Sequence, residues 1–218
     1  MDIDLVITND GSPTLYVERF DEHYHSIHGS IQESLHVFIQ AGLDYKAKQQ
    51  PSIRIFEMGL GTGLNALLTL NYAQQHNVFV DYHAIELYPL TLESINKLVQ
   101  FPNFNHPNFL ELHQIKSNKM LNIGENFRFT KYLQDINDYK PSQLFDLIYY
   151  DAFAPSAQDE LWTVEMFQKM YDMLDDGGCL VTYCAKGIVK RTLKSVGFNI
   201  ESLPGPIGKR EMTRAIKL

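Results

Sequence analysis

Ser52-Ile53-Arg54-Ile55-Phe56-Glu57-Met58-Gly59-Leu60-Gly61-Thr62-Gly63-Leu64-Asn65 is the stretch that decides the fold of this 218-residue chain. Its first half is an apolar run of strand length, its second half places a glycine at every other position, and apolar residues at helical spacing follow. The pattern predicts a buried strand over 52–58, a tight turn, and a helix over 64–75. Glycines at 59, 61 and 63 let the backbone turn sharply and approach a ligand with no Cβ in the way. That turn falls at the carboxyl edge of the sheet, where open α/β folds bind nucleotides.

The same alternation continues downstream. Strand patterns cover 78–86, 128–133, 144–151 and 179–184; helical patterns cover 90–99, 159–174 and 186–196. Asp175-Asp176-Gly177-Gly178 reads as the turn that stops the third helix of the run, and Gly197 as the end of the fourth. Two last strands, 198–203 and 211–217, follow with no helix between them. Strand and helix alternating about five times predicts a doubly wound α/β fold, a mostly parallel sheet covered on both faces, with an antiparallel edge strand. Upstream, two short β-like runs and an amphipathic helix near 31–41 read as a small N-terminal extension, residues 1–50, packed on a core domain of residues 51–218.

At 44% hydrophobic and 21% charged, the chain can bury one sizeable core. Cys179 and Cys184 lack the paired spacing of a zinc site and read as reduced core thiols. The acidic start MDIDLVITND is no targeting segment, and no run approaches a membrane span, so a cytoplasmic protein is expected. The net charge of −7 argues against indiscriminate nucleic-acid binding. Eight Lys/Arg against two Glu from Lys186 onward nevertheless leave a formal +6 there, either a solvated face or a phosphate-facing patch.

Leu64 stands where a dinucleotide fingerprint needs a third glycine, and Leu64-Asn65 stands where a phosphate loop needs Lys-Ser/Thr. Glu86 closes the second strand, placed to accept hydrogen bonds from both hydroxyls of a ribose. Glu57 precedes the loop, as an acidic residue does near the cationic amino-acid end of the cofactor in many methyltransferases. The expected ligand is a nucleoside carrying an amino acid. Asp135, after the third strand, is placed for an adenine amino group.

With these residues in place, the chain resembles the methyltransferase domain of the MnmC family, the tRNA 5-aminomethyl-2-thiouridine methyltransferases. The marks are Asp10-Gly11-Ser12-Pro13, Tyr24-His25-Ser26 with Gly29 and Glu33, Val37-Phe38, the GLGTGLN loop, and Glu86-Leu87-Tyr88-Pro89-Leu90-Thr91. Further marks are Gln134-Asp135-Ile136-Asn137, Asp151-Ala152-Phe153-Ala154-Pro155, Leu161-Trp162 and Gly208-Lys209-Arg210-Glu211-Met212. The loop is common to many methyltransferases; the D-x-F-x-P segment and the GKREM ending are more specific. The resemblance implies a Rossmann-like class I methyltransferase sheet and transfer of methyl from S-adenosylmethionine to the primary amine of 5-aminomethyl-(2-thio)uridine at the tRNA wobble position. The implied partner is the tRNA anticodon stem-loop. The chain ends just after the methyltransferase motifs, so no flavin domain is expected, and another enzyme would make the amine.

By the same comparison, cofactor contacts are expected from Tyr24, Ser26, Glu33, Glu57, Gly59, Gly61, Thr62, Gly63, Asn65, Glu86, Leu87, Asp135 and, peripherally, Asp151. A primary alkylamine is mostly protonated at neutral pH, and methyl transfer needs its lone pair free. Asp151, ending the fourth strand, is assigned to bind the ammonium and receive its proton. Phe153 would wall the site or stack on a flipped-out base, and Lys186, Lys190, Arg191, Lys209 and Arg210 would meet phosphates. His23, His25 and His28 read as loop histidines, because the reaction needs no metal. Residues 101–126 differ from the family in length and content, so no substrate contacts carry over there. Two other readings are a small-molecule amine N-methyltransferase of the same fold and a noncatalytic RNA-binding module.

Overall fold

The computed structural model describes residues 3–218. Its centre is an eight-stranded sheet built around the quoted stretch. Strand β4 (Ser52–Met58) lies between β5 (Phe79–Glu86) and β8 (Phe145–Tyr150), parallel to both. Beyond β5 come β7 (Phe127–Leu133) and β6 (Met120–Ile123); beyond β8 come β9 (Leu174–Thr182), β11 (Glu211–Ile216) and β10 (Asn199–Pro204). The strand order reverses between β4 and β8, so their carboxyl ends diverge into a crevice, the usual ligand position in this Rossmann-like fold.

Alternation along each strand divides the core. Ile53 and Ile55 of β4, with Leu147 and Tyr149 of β8, pack under α3 (Leu64–His76), α4 (Leu92–Val99) and α5 (Phe109–Gln114). Phe56, Met58, Ile148 and Tyr150 face the opposite side, under α6 (Val164–Met173) and α7 (Gly187–Ser195). Helices on both faces complete the doubly wound arrangement.

Several boundaries moved, each for a physical reason. The helical pattern over 159–174 divides into a 3₁₀ turn, Asp159–Trp162, and α6, because the Thr163 side chain caps α6 by accepting from Met166 N at 3.2 Å. The Asp175–Gly178 segment is no turn between elements. It is an irregular stretch within β9, held to the end of β11 by Gly177 N donating to Lys217 O and Lys217 N donating to Gly178 O, both at 2.9 Å. Both sheet edges are antiparallel, not one, because β6 pairs antiparallel with β7. α5 and β6 also give order to the segment that sequence reading left unassigned.

The N-terminal residues form three strands rather than two, β1 (Ile3–Ile7), β2 (Pro13–Val17) and β3 (Glu22–His23), in a separate antiparallel sheet. The helix that follows is longer than its pattern: α1 (Ser30–Ser34) continues into a π-helix, Leu35–Asp44, and a last turn, α2 (Tyr45–Ala47). Its buried pairs Val37/Phe38 and Gly42/Leu43 repeat every five residues, the interval of i→i+5 hydrogen bonding. Gly42 lets this helix close onto the sheet; a Cβ there would lie 3.1 Å from Val181 Cγ2.

At the amino end of the sheet, Arg54 of β4 grips Asp146 of β8, its Nε donating to Oδ2 at 2.9 Å and Nη2 to Oδ1 at 2.7 Å, and it reaches Asp175 of β9. Burial pushes the Asp146 carboxyl up, but the Arg54 side chain and backbone N–H pull it below the ordinary carboxylate value. A depressed folded-state value stabilises the fold above the unfolded value and ceases to do so as pH falls through the folded one. Asp146→Asn should therefore cost about 1–3 kcal/mol at pH 7, with the deficit shrinking below about pH 4; urea unfolding at pH 7 and pH 3 measures both.

Candidate active site

A cavity of about 530 Å³ opens at the carboxyl ends of β4, β5 and β8, within the usual size for small-molecule sites. One wall is the glycine loop. Gly59 N and Leu60 N both donate to Ile85 O of β5, at 3.1 and 3.2 Å, and Gly61 N donates to Glu86 Oε2 at 3.0 Å. Gly63, in the left-handed region at φ 75°, starts α3. Gly61 also has a positive φ, 49°, and a Cβ there would fall 2.7 Å from the Tyr24 ring. The empty side of Gly61 thus receives Tyr24 from the N-terminal segment.

Two histidines hold the loop at Thr62. His25 Nε2 lies 2.8 Å from Thr62 Oγ1, and His113 Nε2 donates to Thr62 O at 3.1 Å. Burial lowers both imidazoles to about 4, so both are neutral at pH 7. His25 and His28 lie in the loop between β3 and α1, His25 buried there, whereas His23 lies in β3 against the Tyr16 ring. Nothing in the sequence marked His113.

The carboxylates divide by depth. Asp151 sits on the cavity floor, its Oδ2 accepting from Asn65 Nδ2 at 2.8 Å. The same Nδ2 donates to Glu57 Oε1 at 3.0 Å, so one amide joins the two acids. Glu57 is fully buried and does not line the cavity, and neither do Asn65 or Gly63. Burial, reinforced by Asp151, pushes the Glu57 carboxyl well up. Burial and the Glu33 carboxylate push Asp151 up to about 7, against the pull of Asn65 and Lys209.

Glu86, Leu87 and Asp135 line the cavity where the strands end. Glu86 also accepts from Tyr88 N at 2.7 Å, and Asp135 accepts from Asn137 N at 2.8 Å, which fixes both carboxyls. From the N-terminal segment come Tyr24, Ser26 and Glu33, the last accepting from Ser26 N at 2.9 Å. At the mouth, Phe153 packs on Phe20 and Tyr24 with ring centroids 5.1 and 5.2 Å apart, and Trp162 Nε1 pins its carbonyl at 2.8 Å. Arg19, Phe20 and Tyr183 also line the cavity and were missed. Arg19 and Phe20 stand in a short turn with no motif, and Tyr183 follows a strand whose alternation reads as core.

The basic residues separate. Lys186, Arg191 and Arg210 are exposed and form no ion pair among the described residues. Lys190 pairs with Glu211 at 2.6 Å, whereas Lys209 lines the cavity paired to Glu33.

Residues 97–218 match the S-adenosyl-L-methionine-dependent methyltransferase family. The chain belongs to that family. Its cofactor is therefore S-adenosylmethionine, and the lining fits it: carboxylates at two strand ends to accept from hydroxyl and amino groups, and loop backbone bare of side chains. The resemblance read in the sequence is borne out by relatives called tRNA 5-methylaminomethyl-2-thiouridine biosynthesis bifunctional protein MnmC. That of Pseudoalteromonas atlantica is 30% identical over 98% of this chain, and that of Leptospira borgpetersenii is 33% identical over 89%. The chain spans about one third of the length of these relatives. The crystal structure of MnmC2 from Aquifex aeolicus is 27% identical, with a TM-score of 0.79 over 98% of this chain and 70% of that one. Spermidine synthase from Thermotoga maritima, 15% identical with a TM-score of 0.61 over 99% of this methyltransferase and 68% of its own chain, shares the fold.

Gly61→Val would drive a side chain into Tyr24 and force an unfavourable φ costing about 1–2 kcal/mol. S-adenosylmethionine affinity should fall by at least tenfold while far-UV circular dichroism stays native. Unchanged calorimetric affinity would remove this loop from the cofactor site.

Proposed function

We propose that this methyltransferase transfers the methyl group of S-adenosylmethionine to the primary amine of 5-aminomethyl-(2-thio)uridine at the tRNA wobble position, giving the 5-methylaminomethyl form. It would act in the cytoplasm on the anticodon stem-loop. The observation that carries this reading is Asp151, a carboxylate pushed up to about 7 on the floor of a cavity between the glycine loop and an aromatic mouth. Similarity over nearly the whole chain to relatives with that biosynthetic name supports the choice of amine.

When bound, S-adenosylmethionine supplies an electrophilic methyl group on a sulfonium. Glu86, Leu87, Asp135 and the backbone of Gly59, Gly61 and Thr62 would hold its nucleoside and amino-acid parts, and Tyr24, Ser26 and Glu33 would close over it. Glu57, Gly63 and Asn65 serve from behind, through the Asn65 amide and the start of α3. Asp151 binds the substrate ammonium and takes its proton; a group titrating near the working pH suits that task. Phe153, Phe20 and Tyr24 offer faces on which an unstacked base can lie. The N-terminal extension, residues 1–50, would supply Arg19, Phe20, Tyr24, Ser26 and Glu33 as a wall of the site on a core domain of residues 51–218.

The direct test is methylation of tRNA that carries aminomethyluridine, read by nucleoside mass spectrometry. Methylaminomethyluridine should appear, and tRNA lacking the aminomethyl group should stay unmodified; no product from the aminomethyl tRNA overturns the reading. Asp151→Asn should lower turnover by roughly 10²–10⁴-fold with little change in cofactor affinity, and should regain part of the loss at higher pH, where solvent deprotonates more amine. Near wild-type turnover at pH 7 would remove Asp151 from proton handling. Neutralising Lys186 and Arg191 together should flatten the salt dependence of tRNA binding by about one unit of slope per contact; an unchanged slope returns them to a solvated surface.

A further inference from the structure

Lys209 differs from the other basic residues of its segment in facing inward. It sits in the turn joining β10 to β11, which is closed by Lys209 N donating to Pro206 O at 2.9 Å and Gly205 N donating to Arg210 O at 3.1 Å. Its ammonium pairs with Glu33 and lies 4.0 Å from the centre of the Tyr183 ring. Glu33 is 8% exposed, and its other oxygen accepts from Ser26 N. Glu33 reaches the cavity from α1 and Asp151 from the end of β8, and Lys209 lines the same cavity; Arg19, Glu22, Glu86, Asp135 and Glu160 also line it.

Among the described residues, no titratable group other than Glu33 forms an ion pair with Lys209. Tyr183 donates its hydroxyl to Ala152 O and is held protonated by burial. Burial likewise holds Cys184, the next residue, as a thiol, against the pull of Lys186, Lys209 and Lys190. Burial keeps His25 neutral beside Glu33. His28 packs beneath Gly208, Glu22 of β3 faces Tyr183 more remotely, and Glu57 lies behind the Asn65 amide.

We propose that Lys209 is a positioning residue for proton transfer rather than a phosphate contact. Its charge, set against Glu33 and Asp151, favours the ionised form of Asp151 that accepts the substrate proton. The inference rests on the amine-methylating reading above. The substrate ammonium passes a proton to an Asp151 oxygen while the N–H electron pair stays on nitrogen. That lone pair forms the N–C bond as the C–S pair returns to sulfur, the product leaves as a secondary ammonium, and Asp151 releases its proton to solvent. Binding a phosphate instead would require Lys209 to leave both a nearly buried carboxylate and an aromatic face, two contacts that a surface lysine does not have to give up.

The test compares Lys209→Met with Lys209→Arg. Removing the cation should raise the acid limb of the kcat/KM profile for aminomethyl-tRNA by about one pH unit or more, with activity recovering at high pH, and Arg should restore the limb. S-adenosylmethionine affinity and the salt slope of tRNA binding should change little. A superimposable profile, an equal loss at every pH, a collapse of cofactor affinity with the limb unmoved, or a flattened salt slope each overturns the proposal. Carboxyl-carbon NMR of Asp151 separates this inference from the function it rests on, because it needs no substrate. Asp151 should titrate about one unit higher in Lys209→Met than in the wild type, and an identical titration overturns the charge coupling even if tRNA is methylated.

Discussion

One side-chain amide holds the catalytic end of this protein together. Asn65 Nδ2 has two hydrogens and donates them to two carboxylates, Glu57 at the end of β4 and Asp151 just past the end of β8. Asn65 itself stands in the first turn of α3, so the glycine loop before it has fixed anchors on both sides. The crevice between β4 and β8 exists because the strand order reverses there, and this bridge sets its depth. It also orders the acids: the one behind the amide is sealed in, and the one in front meets the cavity.

The loop is held from three directions by groups far apart in the chain. Ile85 and Glu86 receive its first three N–H groups, His25 and His113 grip Thr62, and Tyr24 fills the space beside Gly61. Neutral imidazoles suit the task because they bond without placing charge beside Glu33 or Lys131. The N-terminal segment serves the core as well as the site, since Leu15, Val37, Phe38 and Leu43 belong to the same buried cluster as the strands they cover. The same segment therefore covers the core and walls the cavity.

The strongly basic segment from Lys186 onward spends much of its charge internally. Lys190 meets Glu211, Arg214 meets Glu201, Lys209 meets Glu33, and Lys217 donates to the Tyr171 and Leu174 carbonyls. Arg214 lies in β11, Lys209 in the turn before it and Lys217 just after it, while Lys190 reaches Glu211 from α7. Formal charge in a segment therefore overstates the charge available to a polyanion.

The sequence by itself determined the sheet, the glycine loop and the acids at the strand ends. Those features depend on local spacing: period two in β4 and β8, glycines at 59, 61 and 63, and carboxylates within two residues of a strand end. It also carried the family marks that named Asp151 and Phe153. The tertiary structure alone decided the roles that depend on distance. That Glu57 lies behind Asn65, that His25 and His113 meet on Thr62, that Phe20 joins Phe153, and that Lys209 turns inward to Glu33 are contacts between residues up to 176 positions apart. No periodicity encodes such pairs, because they are set by how the N-terminal sheet and the last hairpin pack over the strand ends.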